Sequence, residues 1–342
     1  MSRPTIPDLA KAAGVSTATV NRVLAGAENV RQATRQAVQE AAERINFYGS
    51  GAIAARVAAS RPKFRLGFLL LQPTRPFYRN LAAAVRQAAA GIGEAEIEVR
   101  IEFLDDLSPQ NTAAKALALA AECHAIAMIS AVHPIVTEAV ESIQANGVPV
   151  FALISQLSAT GQVHYVGLDN WKVGRTAAWA VHHIAKAPGK LGILVGNHRY
   201  RCQEMNESGF RSYFREYAPE FTILEPLSTF ESSAIAQEMT ERLLREHPDL
   251  TGLYVAGGGI TGAVAALRAF GRAGQIATIG YQLMDITRSA LLDGTLSMVL
   301  SYPLAQLAGD TIAGMLRAAA ARGGPATYTS ILPFEIYTRE NL

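Results

Sequence analysis

The sequence predicts an α/β protein: a small all-α head, then a two-lobed core of doubly wound parallel sheets. Three observations lead there. From Phe64 onward, apolar runs of strand length alternate with helical segments: "RLGFLLL", "IEVRIEF", "AIAMIS", "VPVFALI", "LGILVG", "LTGLYVA", "IATIGY" and "LSMVL". Ahead of Phe64 the apolar residues follow only the helical period. The alternating region, about 275 residues long, exceeds one comfortable domain, so two similar lobes are expected.

In the head, Pro7, Leu9, Ala10 and Ala13 belong to a first helix that Thr5 can cap and Gly14 breaks. Ser16 or Thr17 caps a second, with Val20, Val23 and Leu24 on one face. A third runs from about Gln32 to Ile45 and is expected to bury Ala33, Ala37, Val38, Ala41 and Ile45. "NFYGSG" ends it, and "AIAARVAASRPK" leads out. Core helices are expected from Phe77 to about Ala90 and near 110–122, 134–145, 171–186, 203–217, 232–246, 260–272 and 303–321.

Charge and composition narrow the classes. Net charge is +2, but residues 1–62 carry eight Lys/Arg against four acids and the rest is slightly acidic. A basic head on a near-neutral body points to a polyanion partner for the head. No stretch reaches the length of an apolar membrane span, and "MSRPTIPDLA" has no signal-peptide core, so a cytoplasmic protein is expected. Cys123 and Cys202 lack CxxC spacing and read as reduced core thiols.

Two helices joined at a glycine are the geometry of a helix-turn-helix, whose second helix enters the major groove. In "AKAAGVS", Ala10 and Ala13 allow a close crossing, Gly14 takes the turn and Val15 plugs the core. Thr5, Ser16, Thr19 and Asn21 suit phosphate contacts, and Arg22 can reach a guanine edge. A small structural bundle would give the same short pattern. The longer run "PTIPDLAKAAGVSTATVNRVLAGAENVRQATRQAVQEAAERINFY" resembles the head of the lactose-repressor (LacI/GalR) family of transcriptional regulators, and the remainder resembles that family's periplasmic-sugar-binding-protein-like core.

The resemblance implies that Thr17, Ala18 and Arg22 face bases, while Thr5, Ser16, Thr19, Asn21, Asn29, Arg31 and Thr34 hold phosphates of operator DNA. Thr19 also suits plain helix capping. After the head, the family has "YxPN" and a hinge helix that wedges leucine into the minor groove. Here "FYGSGAIAARVAAS" has Gly49 for the proline. With one inserted residue, Ala54 falls at the helix–helix contact and Val57 at the wedge; without it, the wedge is Arg56. Val57, which shares a face with Ile53, is favoured as an apolar wedge, against the alternative of a plain linker. Domain bounds are expected at 1–48 for the head, 49–62 for the hinge and 63–342 for the core. The first lobe would take 63–166 and 295–322, the second 167–294 and 323–342.

Ligands of such sheets bind at the carboxyl ends of strands. The "PFY" after the first strand is similar to the "NPFF/Y" of sugar-binding relatives, which makes Phe77 and Tyr78 pocket candidates. Ser130, Ser155 with Gln156, His198, Glu204, Asn206 and Gln282 follow later strands, the resemblance implies a second pocket aromatic at Phe230, and together they suit a polyhydroxylated ligand. Three positions depart from the family. Asn206 stands for the usual arginine, Gly257-Gly258 for the usual Asn-Asp, and the late glutamine is lost within "SYP". In "VGLDNWKVGRTAA", Asp169 or Asn170 reads as a helix cap more than a ligand contact.

"GGGITG" (Gly257 to Gly262) matches GxGxxG literally, which suggests an NAD-dependent enzyme. That fingerprint belongs in a first βα unit with an acid about twenty residues on, whereas here that position is Ala277. No catalytic triad, carboxylate pair or metal-ligand spacing stands out. A sugar-binding transport protein is the other alternative, opposed by the basic head. The expectation is therefore a homodimeric repressor without cofactor, controlled by a sugar or sugar derivative. "PFEIYTRENL" carries no heptads, so no coiled-coil tetramer is expected.

Overall fold

The computed structural model describes residues 3–27, 29–321 and 327–342. It divides into two compact units, one running through Phe64 with Ala90–Glu98, the other of Arg65–Ala89 with Val99–Leu342.

The head holds α1 (Ile6–Ala13), α2 (Thr17–Ala25), α3 (Gln32–Arg44) and α4 (Ser50–Ala59). Gly14 closes α1 at φ 67°, where a side chain would be strained, and its N–H bonds the Lys11 carbonyl at 3.3 Å. Ser16 opens α2, its Oγ accepting from the Thr19 N–H at 3.2 Å. Leu9, Val20, Val23, Val38, Ala41 and Ala42 meet in one core, joined by Ile53 and Val57 from α4.

The buried face of α3 differs from expectation. Ala33 is exposed, whereas Arg35 is only 5 % exposed. Its Nε donates to the Val30 carbonyl at 3.0 Å and its Nη2 to that of Ala27 at 2.5 Å. The α2–α3 loop has carbonyls that no helix satisfies, and a guanidinium carries enough donors to serve two of them. Arg44 ties the far end of α3 to the Ala12 carbonyl at 2.6 Å.

The core opens with β1 (Lys63–Leu71), α5 (Pro76–Ala90), β2 (Glu96–Leu104), α6 (Pro109–Glu122), β3 (Ala125–Met128), α7 (Pro134–Ala145), β4 (Val150–Leu153) and β5 (His164–Leu168). The second lobe follows with α8 (Asn170–Ile184), β6 (Lys190–Val195), α9 (Arg201–Tyr217), β7 (Thr222–Ile223), β8 (Leu227–Ser228), α10 (Ser233–Glu246), β9 (Leu250–Val255) and α11 (Ile260–Ala269). It closes with β10 (Ala277–Tyr281), α12 (Asp285–Leu292) and β11 (Met298–Ser301). Then come α13 (Leu304–Ala320), β12 (Thr329–Leu332) and β13 (Glu335–Tyr337).

One sheet has the order β12-β5-β4-β3-β1-β2 and the other β13-β11-β10-β9-β6-β7, with β8 also on β6. The pairs from β12 through β1 run parallel, as do β11–β10, β10–β9 and β9–β6, whereas β13 is antiparallel to β11. Each sheet thus has its own helices, as parallel sheets buried on both faces require.

Among the described residues the chain passes between the sheets three times, at Asp169, at Tyr302–Pro303 and at Pro333–Phe334. This corrects the expected partition. β11 belongs to the second lobe, pairing Ile279 with Met298, and β12 to the first, pairing Leu332 with Leu168. Periodicity marks a strand but not the sheet it joins, and β12, exposed at Thr329 and Ile331, has no continuous apolar run to reveal it. The expected break at 322/323 lies outside the described residues.

α8 and α9 cross so closely that a Cβ on Gly174 would strike the Asn206 carbonyl, and one on Gly209 that of Trp171. In the first lobe, His164 stacks on Phe151 with ring centroids 4.3 Å apart, and its Nδ1 accepts from the Tyr328 N–H at 2.8 Å. That acceptor role needs the unprotonated nitrogen, and burial holds the His164 pKa below its ordinary value. The unfolded chain binds this proton more readily, so folding stability is lost as pH falls from about 6.5 toward the depressed folded value. We expect melting temperature to drop between pH 7.5 and 5.5 more steeply in the wild type than in His164→Gln. Equal slopes would remove His164 as the cause.

Candidate nucleic-acid interface and ligand cleft

On the head, Thr17, Ala18, Asn21 and Arg22 are exposed around the first turns of α2. Arg22 lies back along this turn, with Nη2 3.4 Å from Thr19 Oγ1 and Nε 3.4 Å from the Ala18 carbonyl. Its guanidinium therefore sits beside Ala18, one of the residues expected to face bases, and Thr19. Ser16 and Thr19 hydroxyls bond each other at 2.9 Å and brace the helix start. Asn29 and Arg31 are exposed and Thr34 is half-buried. Thr5 differs from the others: its N–H and hydroxyl both donate to Asp8 Oδ2, at 2.8 and 2.6 Å. These bonds hold the Asp8 carboxyl below its usual pKa, and Thr5 is occupied as a helix-start residue.

The hinge segment is where the head departs most from expectation. Ile53 and Val57 do share one face of α4, but that face is turned into the head's own core, with exposures of 0 and 1 %. Val57 is not presented as a wedge; Arg56 is exposed and Ala54 half-buried. An apolar i, i+4 pair gains more against Leu9, Val20 and Val38 than in water. Val57→Ala should accordingly destabilise the head by roughly 1–2 kcal/mol, two methyl groups plus a partial cavity. Hydrogen exchange of the α1–α3 amides in the full chain measures this. Unchanged protection with reduced DNA bending would restore the wedge.

In the core, the carboxyl ends of the strands of both sheets open onto a cleft of about 990 Å³. Phe77 and Tyr78, at the start of α5, line it from the first lobe, meeting edge to face at 5.0 Å. Asn206, Tyr281 and Gln282 line it from the second, and Tyr302 from the connection between lobes. Asn206 is held at both ends of its amide: Tyr281 Oη donates to its Oδ1 at 3.2 Å and its Nδ2 donates to the Ala256 carbonyl at 3.4 Å. Gln282 Oε1 accepts from Ser301 Oγ at 2.9 Å and the Tyr302 N–H at 3.0 Å. Its Nε2 is buried and has no partner.

An ion pair that sequence reasoning missed crosses the cleft. Arg75, ahead of α5 in the first lobe, donates through Nη1 to Glu231 Oε2 of the second lobe at 2.8 Å. Glu231 Oε1 accepts from Gln203 Nε2 at 2.6 Å, and Gln203 Oε1 accepts from the Gly196 and Asn197 N–H groups at 2.7 and 3.0 Å. The sequence signal was one residue away. Phe230 and Glu231 both have positive φ, 49° and 60°, and that turn sends the phenyl ring outward, 68 % exposed, and the carboxylate inward.

The structure thus brings Phe77, Tyr78, Asn206 and Gln282 together and leaves the other candidates out. Ser130 is buried, donating to the Ala131 carbonyl, and Ser155 is buried against the Cys202 N–H. His198 pairs with Glu207 at 2.9 Å on an exposed surface, while Glu204 and Gln156 are exposed outside the cleft wall. Asp169 caps α8 through the Lys172 N–H at 3.2 Å, as one of the two readings expected.

The glycine-rich "GGGITG" has packing reasons of its own. A Cβ on Gly257 would strike Gln203, one on Gly258 would strike Glu231 and Arg75, and one on Gly262 the Ser233 carbonyl of α10. The thiol of Cys202, at the cleft wall, is pushed up to about 12 by burial, so it is no nucleophile at neutral pH. Among the described residues there is no cluster of metal-ligating side chains, and no helix is long and apolar enough to cross a membrane.

A helical reading head and a two-lobed α/β unit with an interlobe cleft define a ligand-responsive DNA-binding protein as the class. Residues 66–324 match the periplasmic binding protein domain model, and residues 5–50 match that of the bacterial regulatory proteins of the lacI family. The chain belongs to the periplasmic binding protein domain family over most of its length and carries a lacI-family regulatory head in front of it. The ribose operon repressor of Bacillus subtilis is 27 % identical over 327 residues, 92 % of each chain. The D-ribose/D-allose-binding protein of Pseudomonas aeruginosa is 30 % identical over 135 residues, which span 39 % of this chain and 41 % of that protein. A solute-binding protein of an Agrobacterium vitis ABC transporter, solved with α-D-tagatopyranose, superposes with a TM-score of 0.74 at 17 % identity, covering 81 % of this chain and 95 % of its own.

Proposed function

We propose that the chain is a homodimeric cytoplasmic repressor, not an enzyme, whose affinity for operator DNA is set by a sugar-like effector held between the two lobes. The head, 1–48, reads one half-site through Thr17, Ala18 and Arg22, with Ser16, Thr19, Asn21, Asn29, Arg31 and Thr34 on phosphates. The segment 49–62 connects it to the core. Phe77, Tyr78, Asn206 and Gln282 are the effector contacts.

One observation carries this reading: a single chain holds both an α2 with exposed Arg22 and a cleft of about 990 Å³ whose wall brings aromatic rings and amides together with an Arg75–Glu231 ion pair. Aromatic faces and amides are what a polyhydroxylated ring requires. The transport reading accounts for the core alone and leaves the head without a role. Relatives named for a ribose operon and for D-ribose/D-allose direct the choice of ligands.

The test is a thermal-shift screen of the full chain against sugars, polyols, sugar acids and nucleobases. A ligand that binds only the folded form stabilises by RT ln(1 + [L]/Kd), so an effector at a hundred times its Kd adds about 2.7 kcal/mol. At least one sugar should raise the melting temperature. If nucleobases alone do so, the sugar reading is wrong.

A further inference from the structure

We propose that Glu231, tied across the cleft to Arg75, makes the cleft selective for an uncharged sugar or polyol over sugar acids and sugar phosphates. The inference rests on the cleft being the effector site and adds which charge it accepts.

The carboxylate is seated, not incidental. Glu231 is 6 % exposed and Gln203 7 %. The bonds from Gly196 and Asn197 fix the Gln203 amide so that its Nε2 can only donate, and it donates to Glu231. Gly196 and Gly258 leave room where any Cβ would collide with the Glu231 carboxylate, and Gly257 does the same for Gln203. Glu231 enters the space beside Gly258 from a neighbouring turn.

Of the three arginines lining the cleft, Arg75 is the one paired with a buried acid, while Arg79 and Arg288 are exposed. Arg75 spends Nη1 on Glu231. Arg79 spends Nη1 on the carbonyls of Pro73 and Thr74, at 3.0 and 2.7 Å. Arg288 shares exposed turns of α12 with Asp285, one charge of each sign. Gln282, which lines the cleft and is 7 % exposed, has a buried, neutral Nε2 without a hydrogen-bond partner.

An anion placed against Glu231 would meet a buried carboxylate that Arg75 only balances, with no net positive charge at that point to receive it, a like-charge contact costly in a low-dielectric site. A hydroxyl avoids that cost. It can donate to Glu231, accept from the remaining N–H groups of Arg75, and a neighbouring oxygen can satisfy Gln282. Replacing the carboxylate by an amide leaves Gln203 an acceptor and releases the Arg75 charge toward the ligand.

The experiment is calorimetric titration of the full chain with D-ribose, D-allose, D-glucose and D-galactose, and with D-gluconate, D-galacturonate and D-ribose 5-phosphate. The wild type should bind at least one neutral sugar about a hundredfold more tightly than any of the anions. Glu231→Gln should narrow that gap by about tenfold or more, whereas Arg75→Met, which keeps the carboxylate, should not narrow it. A wild type that binds a sugar acid or phosphate as tightly as its best neutral sugar overturns the charge rule and leaves the effector site standing. A wild type that binds neither class overturns the effector site and the rule with it. Both of these outcomes are measured on the wild type, so a variant that fails to fold shields neither claim.

Discussion

Arg22→Ala should lower operator affinity roughly five- to 150-fold at fixed salt, the loss of about 1–3 kcal/mol that one bidentate guanine contact carries. The geometry singles out this residue. Thr17 and Ala18 at the tip of α2 offer a hydroxyl and methyls, so long reach falls to the Arg22 guanidinium beside the Ala18 carbonyl and the Thr19 hydroxyl. The variant should also flatten base preference at one position of a selected site while the salt dependence changes little. A uniform loss across sequences with a shallower salt slope would make Arg22 a phosphate contact instead. Arg35 provides the contrast: buried and bonded to two loop carbonyls, its loss should lower head stability whatever the DNA sequence.

Gly174→Val should produce a large change in the core. Any Cβ at this position meets the backbone carbonyl of Asn206, so α8 and α9 must part, and overpacking of this kind costs roughly 1–3 kcal/mol or more. The effect does not stop at stability. Asn206 lines the cleft, and Gln203, one turn earlier on α9, holds Glu231. Both are carried by the displaced helix, so effector affinity should fall together with the melting temperature. Gly309→Ala on α13 is the control: nothing lies within 4 Å of the added Cβ, and it should stabilise by about 0.5–1 kcal/mol. If Gly174→Val melts like the wild type, the helix crossing tolerates more than its geometry shows.

Much of the fold is legible in the sequence, for identifiable reasons. The capped α2 and the eight apolar strand runs depend on neighbours in sequence, and each is found where expected. What escapes depends on neighbours in space. β5, β12 and β13 are short, and their sheet is decided by where the chain crosses between lobes. Arg35 on α3 looks like a solvated charge until the loop carbonyls it serves are placed. Ile53 and Val57 do share one face, but spacing alone does not say whether that face meets DNA or the head's own core. In the cleft, Phe77, Tyr78, Asn206 and Gln282 lie in the segments that follow strands, and the structure places them in the cleft wall. Glu231 is missed because two positive-φ residues invert the turn that carries it, so the conspicuous Phe230 points to solvent.

The central claim is that one chain couples the cleft to DNA reading, and fluorescence anisotropy tests it directly. A labelled operator, obtained by binding-site selection with the full chain, is titrated with protein at fixed salt, with and without a saturating sugar that raises the melting temperature. Coupling of about 1–3 kcal/mol between the two sites should shift operator affinity roughly five- to 150-fold, in either direction. The same operator affinity with and without saturating sugar would contradict ligand control of DNA binding.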